Sequence, residues 1–490
     1  MPVDSLRTIS ELDRFAWNAI CNWSKHTCAI TSYNGIDYAE LTRCFLWDKV
    51  ARAIRKQTDP NRFELEQSIL ASRTVPTLRK PHPNRLKFWL KRSLKSFQTW
   101  RDVQALRSRS FLYVPHAHPT LCTIVEALTR SIKVVAPEKS FDAISGLHWI
   151  RSPLGSDAPN LAQVDAIHRG IVEGLQAFEI ELLPQDAIVL RCQIAQLLLR
   201  TKQIHTELSM LRPAAILLFA DNHFPVQSYV FSARQLGIKT IMLQHGLDCE
   251  HYCLDEAYAD VISVWGISRF QRYQAQSNRQ PEQIHVNGNP DYDRFCLPTK
   301  LDCSGEYWLW ATRPHRPEKC YSPSRHPQEG VQILEAILAA LARSPHARLV
   351  IKPHPLDDVA LYQTCLERSP FRDRVTVSTE SVRSLFPKAT IVISEDSTIG
   401  LEAMFFGKPV IHAHFAESQP VLPFVDYDAA LPAFSSEMLQ TALQTVEHLS
   451  EAEQAKLFAG QQRFIQAFAG QCDRQAQTRI IAMIQDLLPD

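Results

Sequence analysis

The stretch that most limits how this chain can fold is residues 391–414, IVISEDSTIGLEAMFFGKPVIHAH. A β-rich apolar run, Ile391 to Ile393, ends in a small polar cluster. A helical pattern from Thr398 to Phe406 then stops at Gly407 and Pro409, before a second apolar run at Val410 and Ile411. That succession predicts strand, turn, helix and strand. Ser394, Ser397 and Thr398 fall where the turn meets the helix start. Their hydroxyls and the unpaired amides of the first helical turn are expected at the strand's carboxyl end, where the helix dipole favours an anion such as a phosphate. Plain helix capping would use the same residue types. Glu402, one turn further on, faces the same side with a carboxylate able to hold two sugar hydroxyls.

A chain of 490 residues exceeds one compact core, so two or three domains are expected. The net charge of +1 argues against a general nucleic-acid binder, which carries a basic excess. No early apolar signal segment and no window near the roughly 18 apolar residues of a membrane span is present, which predicts a cytoplasmic location. The twelve cysteines are scattered without a CxxC pair. Cys249 and Cys253, near His245 and His251, lack the regular paired spacing of a zinc site, so free thiols are expected. No G-x-G-x-x-G or Walker string occurs, against a Rossmann dehydrogenase or a P-loop enzyme.

Along the chain the pattern predicts three parts. Residues 1–110 form a helical, basic extension. Between Arg79 and Arg109 ten Lys/Arg stand against one acid, Asp102, with Phe88, Trp89, Phe97 and Trp100 interleaved. Such a segment suits either an anionic membrane surface or docking of its aromatics on the domain. Residues 111–297 alternate apolar runs with helical patterns: Phe111 to Pro115, Ile132 to Val135, Ala215 to Phe219, Thr240 to Leu243, Val261 to Val264 and Ile284 to Val286. A helical block is expected from Asn160 to Leu211. After the Gly/Asn/Pro turn in VNGNPDYDRFCLP, a candidate hinge, residues 298–490 repeat the alternation and end in helices expected to cross back over the first half. Parallel strands joined by helices give open α/β sheets whose ligands sit outside the strands' carboxyl ends. Two such domains would face each other across a central cleft.

The polar residues expected at those ends define the chemistry. On the later domain Arg313, Lys352 and His354 converge with the Ser394–Thr398 turn. Cations and helix amides there would stabilise a leaving phosphate without a metal. On the earlier domain a general base is needed for an acceptor hydroxyl, and His245, between a buried strand and Gly246, is the first candidate. His118 and Asp221 are further candidates at neighbouring strand ends, with His116 and His223 as rivals. The pairs Asp291/Asp293 and Asp426/Asp428 have the spacing to bind Mg²⁺ but fall in a hinge and a late loop, where structural roles are expected.

Four motifs carry a family resemblance: LQHG at 243–246, VNGNPDYD at 286–293, IKPHP at 351–355 and SEDSTIGLEAMFFGKPVI at 394–411. Over about residues 111 to 430 the chain resembles the GT-B-type glycosyltransferases of bacterial surface polysaccharide assembly, within them the capsule-synthesis and CDP-glycerol glycerophosphotransferase groups. The resemblance implies two Rossmann-like domains, an acceptor domain followed by a nucleotide-donor domain. It also implies that His354 and the Ser397/Thr398 turn hold the donor phosphates, that Glu402 holds the ribose, and that His245 is the base or an acceptor contact. Gln244 stands where glycerophosphotransferases tend to have tryptophan, and Lys352-Pro353-His354-Pro355 where they have Arg-x-His-Pro, so a sugar donor is expected rather than CDP-glycerol. The expected activity is inverting, metal-independent transfer from a nucleotide-sugar to a polysaccharide or lipid-linked acceptor, with no other cofactor. The alternatives are a CDP-glycerol-type glycerophosphotransferase or CMP-sugar transferase, a UDP-sugar 2-epimerase, which has a similar Glu-Ala-x₃-Gly-Lys-Pro-Val signature, and a non-catalytic nucleotide-sugar or polysaccharide binding protein.

Overall fold

The computed structural model describes residues 19–64 apart from 22, 25–30, 34, 59 and 61–62, residue 106, and residues 110–488 apart from 138–143, 151–158, 248–257, 277–282, 314–326, 356, 358 and 416–419. The Cys249/Cys253 region lies outside the described residues, as does the basic segment 79–109 except for the buried Leu106.

Among the described residues the first lobe carries seven strands: β1 (Leu112–Tyr113), β2 (Val134–Pro137), β3 (His148–Ile150), β4 (Ala215–Leu218), β5 (Lys239–Leu243), β6 (Val261–Val264) and β7 (Ile284–Val286). All pairs are parallel, in the order β3-β2-β1-β4-β5-β6-β7. The second lobe carries β8 (Tyr307–Ala311), β9 (Leu349–Lys352), β10 (Val375–Val377), β11 (Ala389–Ser394), β12 (Val410–Ala413) and β13 (Leu431–Ala433), also parallel, in the order β10-β9-β8-β11-β12-β13. Each sheet starts in its middle, winds to one edge, then returns and winds to the other. The resulting switch points, β1/β4 and β8/β11, are where open α/β sheets bind ligands.

The central strands are apolar throughout because helices cover both faces, as in AILL of β4 and the buried part of YWLWA in β8. Helices α1 (Tyr38–Thr58), α2 (Pro119–Leu128), α3 (Leu161–Gln176), α4 (Pro184–Leu211), α5 (Val226–Leu236) and α6 (Ile267–Gln276) precede the second lobe. The expected Asn160–Leu211 block is therefore two helices, interrupted where Glu179 takes φ +60° ahead of Pro184. Helix α1 shares a core with the first lobe. Its Leu41, Leu46 and Val50 belong to the same buried cluster as Leu190, Ile194 and Leu197 of α4, and Arg52 pairs with Asp186 at 2.7 Å.

The second lobe adds α7 (Pro327–Arg343), α8 (Val359–Glu367), the one-turn α9 (Val382–Leu385), α10 (Thr398–Phe405), α11 (Ser436–Val446), α12 (Glu451–Ala469) and α13 (Ala476–Leu487). Helix α10 begins with Ser397 as N-cap, its hydroxyl accepting from Ile399 N–H at 3.3 Å. It ends at Gly407, whose φ of +67° disfavours side chains. Helix α13 crosses back: Ile480, Met483 and Ile484 are buried in the cluster that contains Leu112, Leu217 and Leu243 of the first sheet. Asp293, from the turn after β7, accepts the Ala476 and Gln477 N–H groups at 3.1 and 2.9 Å and so pins the start of α13.

Candidate functional site

Register fixes the second-lobe wall. Lys352 pairs with Ala311, Ala311 with Ser394 and Ser394 with His412, so the carboxyl ends of β9, β8, β11 and β12 form one row. Lys352 is two strands from Ser394, roughly 10 Å at the usual strand spacing. Beyond that row the Thr312 hydroxyl bonds the Asp357 carboxylate and accepts His354 N–H at 3.1 Å, which sets the course of the KPHP loop. Arg313 donates its backbone N–H to Glu395 at 3.3 Å.

The serine turn is less open than its sequence suggests. Ser394 is fully buried and its hydroxyl donates to the Glu395 carbonyl at 3.0 Å, so it does not reach a ligand from this position. Ser397 caps α10. The Thr398 hydroxyl accepts Leu247 N–H from the first lobe at 3.2 Å. Glu402, one turn into α10, is gripped through both oxygens by Arg383 at 2.9 Å each, and that guanidinium also lies 5.4 Å from the Phe295 ring. A bidentate pair of this kind fixes the carboxylate while leaving lone pairs for hydroxyl donors.

The first-lobe wall is a group of rings at the ends of β1, β4 and β5. His118 is the N-cap of α2, its Nδ1 accepting Thr120 N–H at 3.3 Å. Its ring stacks on Phe219 at 4.4 Å and meets the edge of His245 at 5.4 Å. His245 holds the Phe219 carbonyl through Nδ1 at 2.8 Å. The residue is exposed, with neighbouring groups crowded around its ring. That enclosure, then the nearness of His118 and His223, brings its pKa down to about 4. Burial, then Arg200 and His223, likewise takes His116 to about 4. His118 is lowered by burial against an opposing pull from Asp291. These imidazoles are neutral at pH 7. Asp221 is placed elsewhere: it is 2% exposed and its Oδ2 accepts the Tyr258 and Ala259 N–H groups at 2.7 and 2.9 Å, bracing the entry to β6.

Two features were not evident from sequence, and a third, Asp291, was expected only as half of a metal-binding pair. Arg383 lies on the one-turn helix that follows Ser381, and only the fold brings it to Glu402. Asp396, inside the SEDS turn, is fully buried. Burial would raise its carboxyl pKa, but bonds to His412 at 3.2 Å and His414 at 3.3 Å hold it well below the carboxylate range. It also accepts the Val421 and Leu422 N–H groups at 3.0 and 2.9 Å. Asp291, on the turn after β7, has Arg383, Glu402 and His118 as charged or titratable neighbours: burial raises its pKa, Arg383 opposes that and Glu402 adds to it. The Asp-x-Asp pairs do not converge, since Asp293 caps α13 while Asp428 pairs with Lys456 and Arg463. Among the described residues no three His, Cys, Asp or Glu side chains group as metal ligands would, and no helix is long and apolar enough to cross a membrane.

The contact between Leu247 and Thr398 joins the two walls beside His245. Gly246 faces Thr398 there, a β-carbon at the glycine standing 3.7 Å from the threonine hydroxyl.

Among solved structures, Staphylococcus aureus MnaA with UDP aligns at a TM-score of 0.50 and 13% identity, covering 77% of this chain and 96% of that one. UDP-GlcNAc 2-epimerase from Neisseria meningitidis bound to UDP-GlcNAc aligns at 0.45 and 13% identity, covering 77% and 100%. The wall teichoic acid polymerase TagF aligns at 0.45 and 9% identity, covering 83% and 99%. No curated protein matches the sequence. The family model described as capsule polysaccharide biosynthesis protein matches residues 324–416, which include Lys352, His354, the serine turn and Glu402. The chain is a two-lobed protein of GT-B-like fold in which residues 324–416 are similar to capsule polysaccharide biosynthesis proteins.

Proposed function

We propose that this protein is a glycosyltransferase of surface polysaccharide biosynthesis that moves a sugar from a nucleotide-sugar to a polysaccharide or lipid-linked glycan. The observation that carries the reading is the meeting of two strand-end walls, neutral imidazoles on one side and a helix N-terminus on the other, bridged by Leu247 N–H and the Thr398 hydroxyl. His245 Nε2 takes the proton of the acceptor hydroxyl as its oxygen bonds to the anomeric carbon. The carbon–phosphate oxygen bond breaks and the nucleotide leaves with the electron pair. Arg313, Lys352 and the α10 amides offset the charge on the departing phosphates, and the Glu402 carboxylate, oriented by Arg383, accepts ribose hydroxyls. Attack opposite the leaving group inverts the anomeric centre, and the reading calls for no metal.

A thermal-shift screen with CMP, CDP, UDP, GDP and TDP tests it. One nucleotide is expected to raise the Tm, a ligand at 100 times its Kd adding about 2.7 kcal/mol, and Glu402→Ala is expected to abolish the shift. The matching nucleotide-sugar should then release nucleotide only when a glycan acceptor is present. Turnover of UDP-N-acetylglucosamine without acceptor would mark an epimerase. No shift with any nucleotide would end the proposal.

A further inference from the structure

Two backbone contacts give neighbouring histidines opposite protonation patterns. The Phe219 carbonyl only accepts, so His245 carries its proton on Nδ1 and keeps a lone pair on Nε2. Thr120 N–H only donates, so His118 keeps its lone pair on Nδ1 and carries its proton on Nε2. Both tautomers are set by main-chain groups that cannot exchange donor and acceptor roles. The rings are also fixed, His118 stacked on Phe219 at 4.4 Å and His245 edge-on to the same ring at 5.5 Å.

Resting on the transfer reading above, we propose that His245 and His118 form a donor–acceptor pair that reads two adjacent oxygens of one polyol acceptor. His245 Nε2 accepts the proton of the attacking hydroxyl, while His118 Nε2–H donates to the oxygen on the neighbouring carbon. The ring centres lie 5.4 Å apart, so one small polyol can meet both imidazoles, with each hydrogen bond about 2.9 Å long. The acceptor class is a sugar ring or other polyol with vicinal oxygens. In the step, the hydroxyl proton passes to His245, the oxygen–carbon bond forms, the donor's carbon–oxygen bond breaks and the nucleotide departs as the anion. His118 keeps its proton throughout.

Nitrogen–proton correlation spectra of the full chain labelled with ¹⁵N-histidine read the tautomers directly, with His118→Asn and His245→Asn identifying the signals. His245 is expected protonated at Nδ1 and His118 at Nε2; the same tautomer in both rings, or the reverse assignment, overturns the pair. Asparagine at 118 can still cap Thr120 while losing the Nε2–H. With the nucleotide-sugar found by the binding screen, His118→Asn is expected to lower kcat/KM about 10-fold to 100-fold on methyl pyranosides with a vicinal hydroxyl, and far less on the deoxy compound lacking that neighbour. Equal losses on both overturn the proposal. If no pyranoside is glycosylated from any donor, the transfer reading fails, and the tautomers alone then decide whether the pair exists.

Discussion

His245 shows how a residue's neighbours set its chemistry. A freely solvated histidine has a pKa near 6.5, but enclosure and the neighbouring His118 and His223 bring this one to about 4. A base must be neutral to act, so the acid limb of kcat/KM is expected near pH 4 rather than near 6.5, measured across a pH series. A limb near 6.5 that disappears in His245→Asn would overturn this. Asp396 is the opposite case, a buried carboxylate kept ionised by donors. Its folded pKa is depressed, so its contribution to stability is present above an unfolded value of about 3.9 and is lost as pH falls below that. Asp396→Ala leaves two histidines and two backbone amides without their acceptor, and is expected to cost about 3–5 kcal/mol in denaturant unfolding. Sequence singled out His245 and Glu402 because each follows a recognisable strand end or helix start. Arg383 and Asp396 were not singled out, because their partners lie 19 and 16 residues away along the chain.

At the scale of elements, α10 and the loop after β5 act together. The Thr398 hydroxyl was expected to meet a phosphate, yet in this structure it receives Leu247 N–H at 3.2 Å. Thr398→Val keeps the branched shape and removes the acceptor. Hydrogen exchange at the Leu247 amide is expected to accelerate, with overall stability falling by about 1 kcal/mol. Unchanged exchange at Leu247 would show that this bond does not hold the loop. Strand positions were legible where an apolar run met a clear turn or helix signal, as at Ala215–Leu218 and Ile284–Val286. The edge strands His148–Ile150 and Leu431–Ala433 were missed, each carrying a histidine or a proline and only partly buried.

At the scale of the whole molecule, α13 links the end of the chain to the first lobe. Ile480, Met483 and Ile484 are each at most 7% exposed and pack against the first sheet. Burying each such side chain is worth about 1.5–3 kcal/mol, so deleting residues 474–490 is expected to lower the Tm markedly and expose the face of α2. A truncated chain that melts with the full one would refute this packing role. The crossing was foreseeable in outline from the helical tail, but its anchor at Asp293 was not.

Local pattern was enough to determine two open parallel sheets, their central strands and the loops that end at the cleft, because apolar periodicity and turn residues act over a few positions. Tertiary structure alone decided which loop residues meet: Thr398 with Leu247, Glu402 with Arg383, His118 with His245, and Asp396 with His412. Such pairings depend on strand order and on how one lobe sits against the other, and neither leaves a periodic trace in the chain.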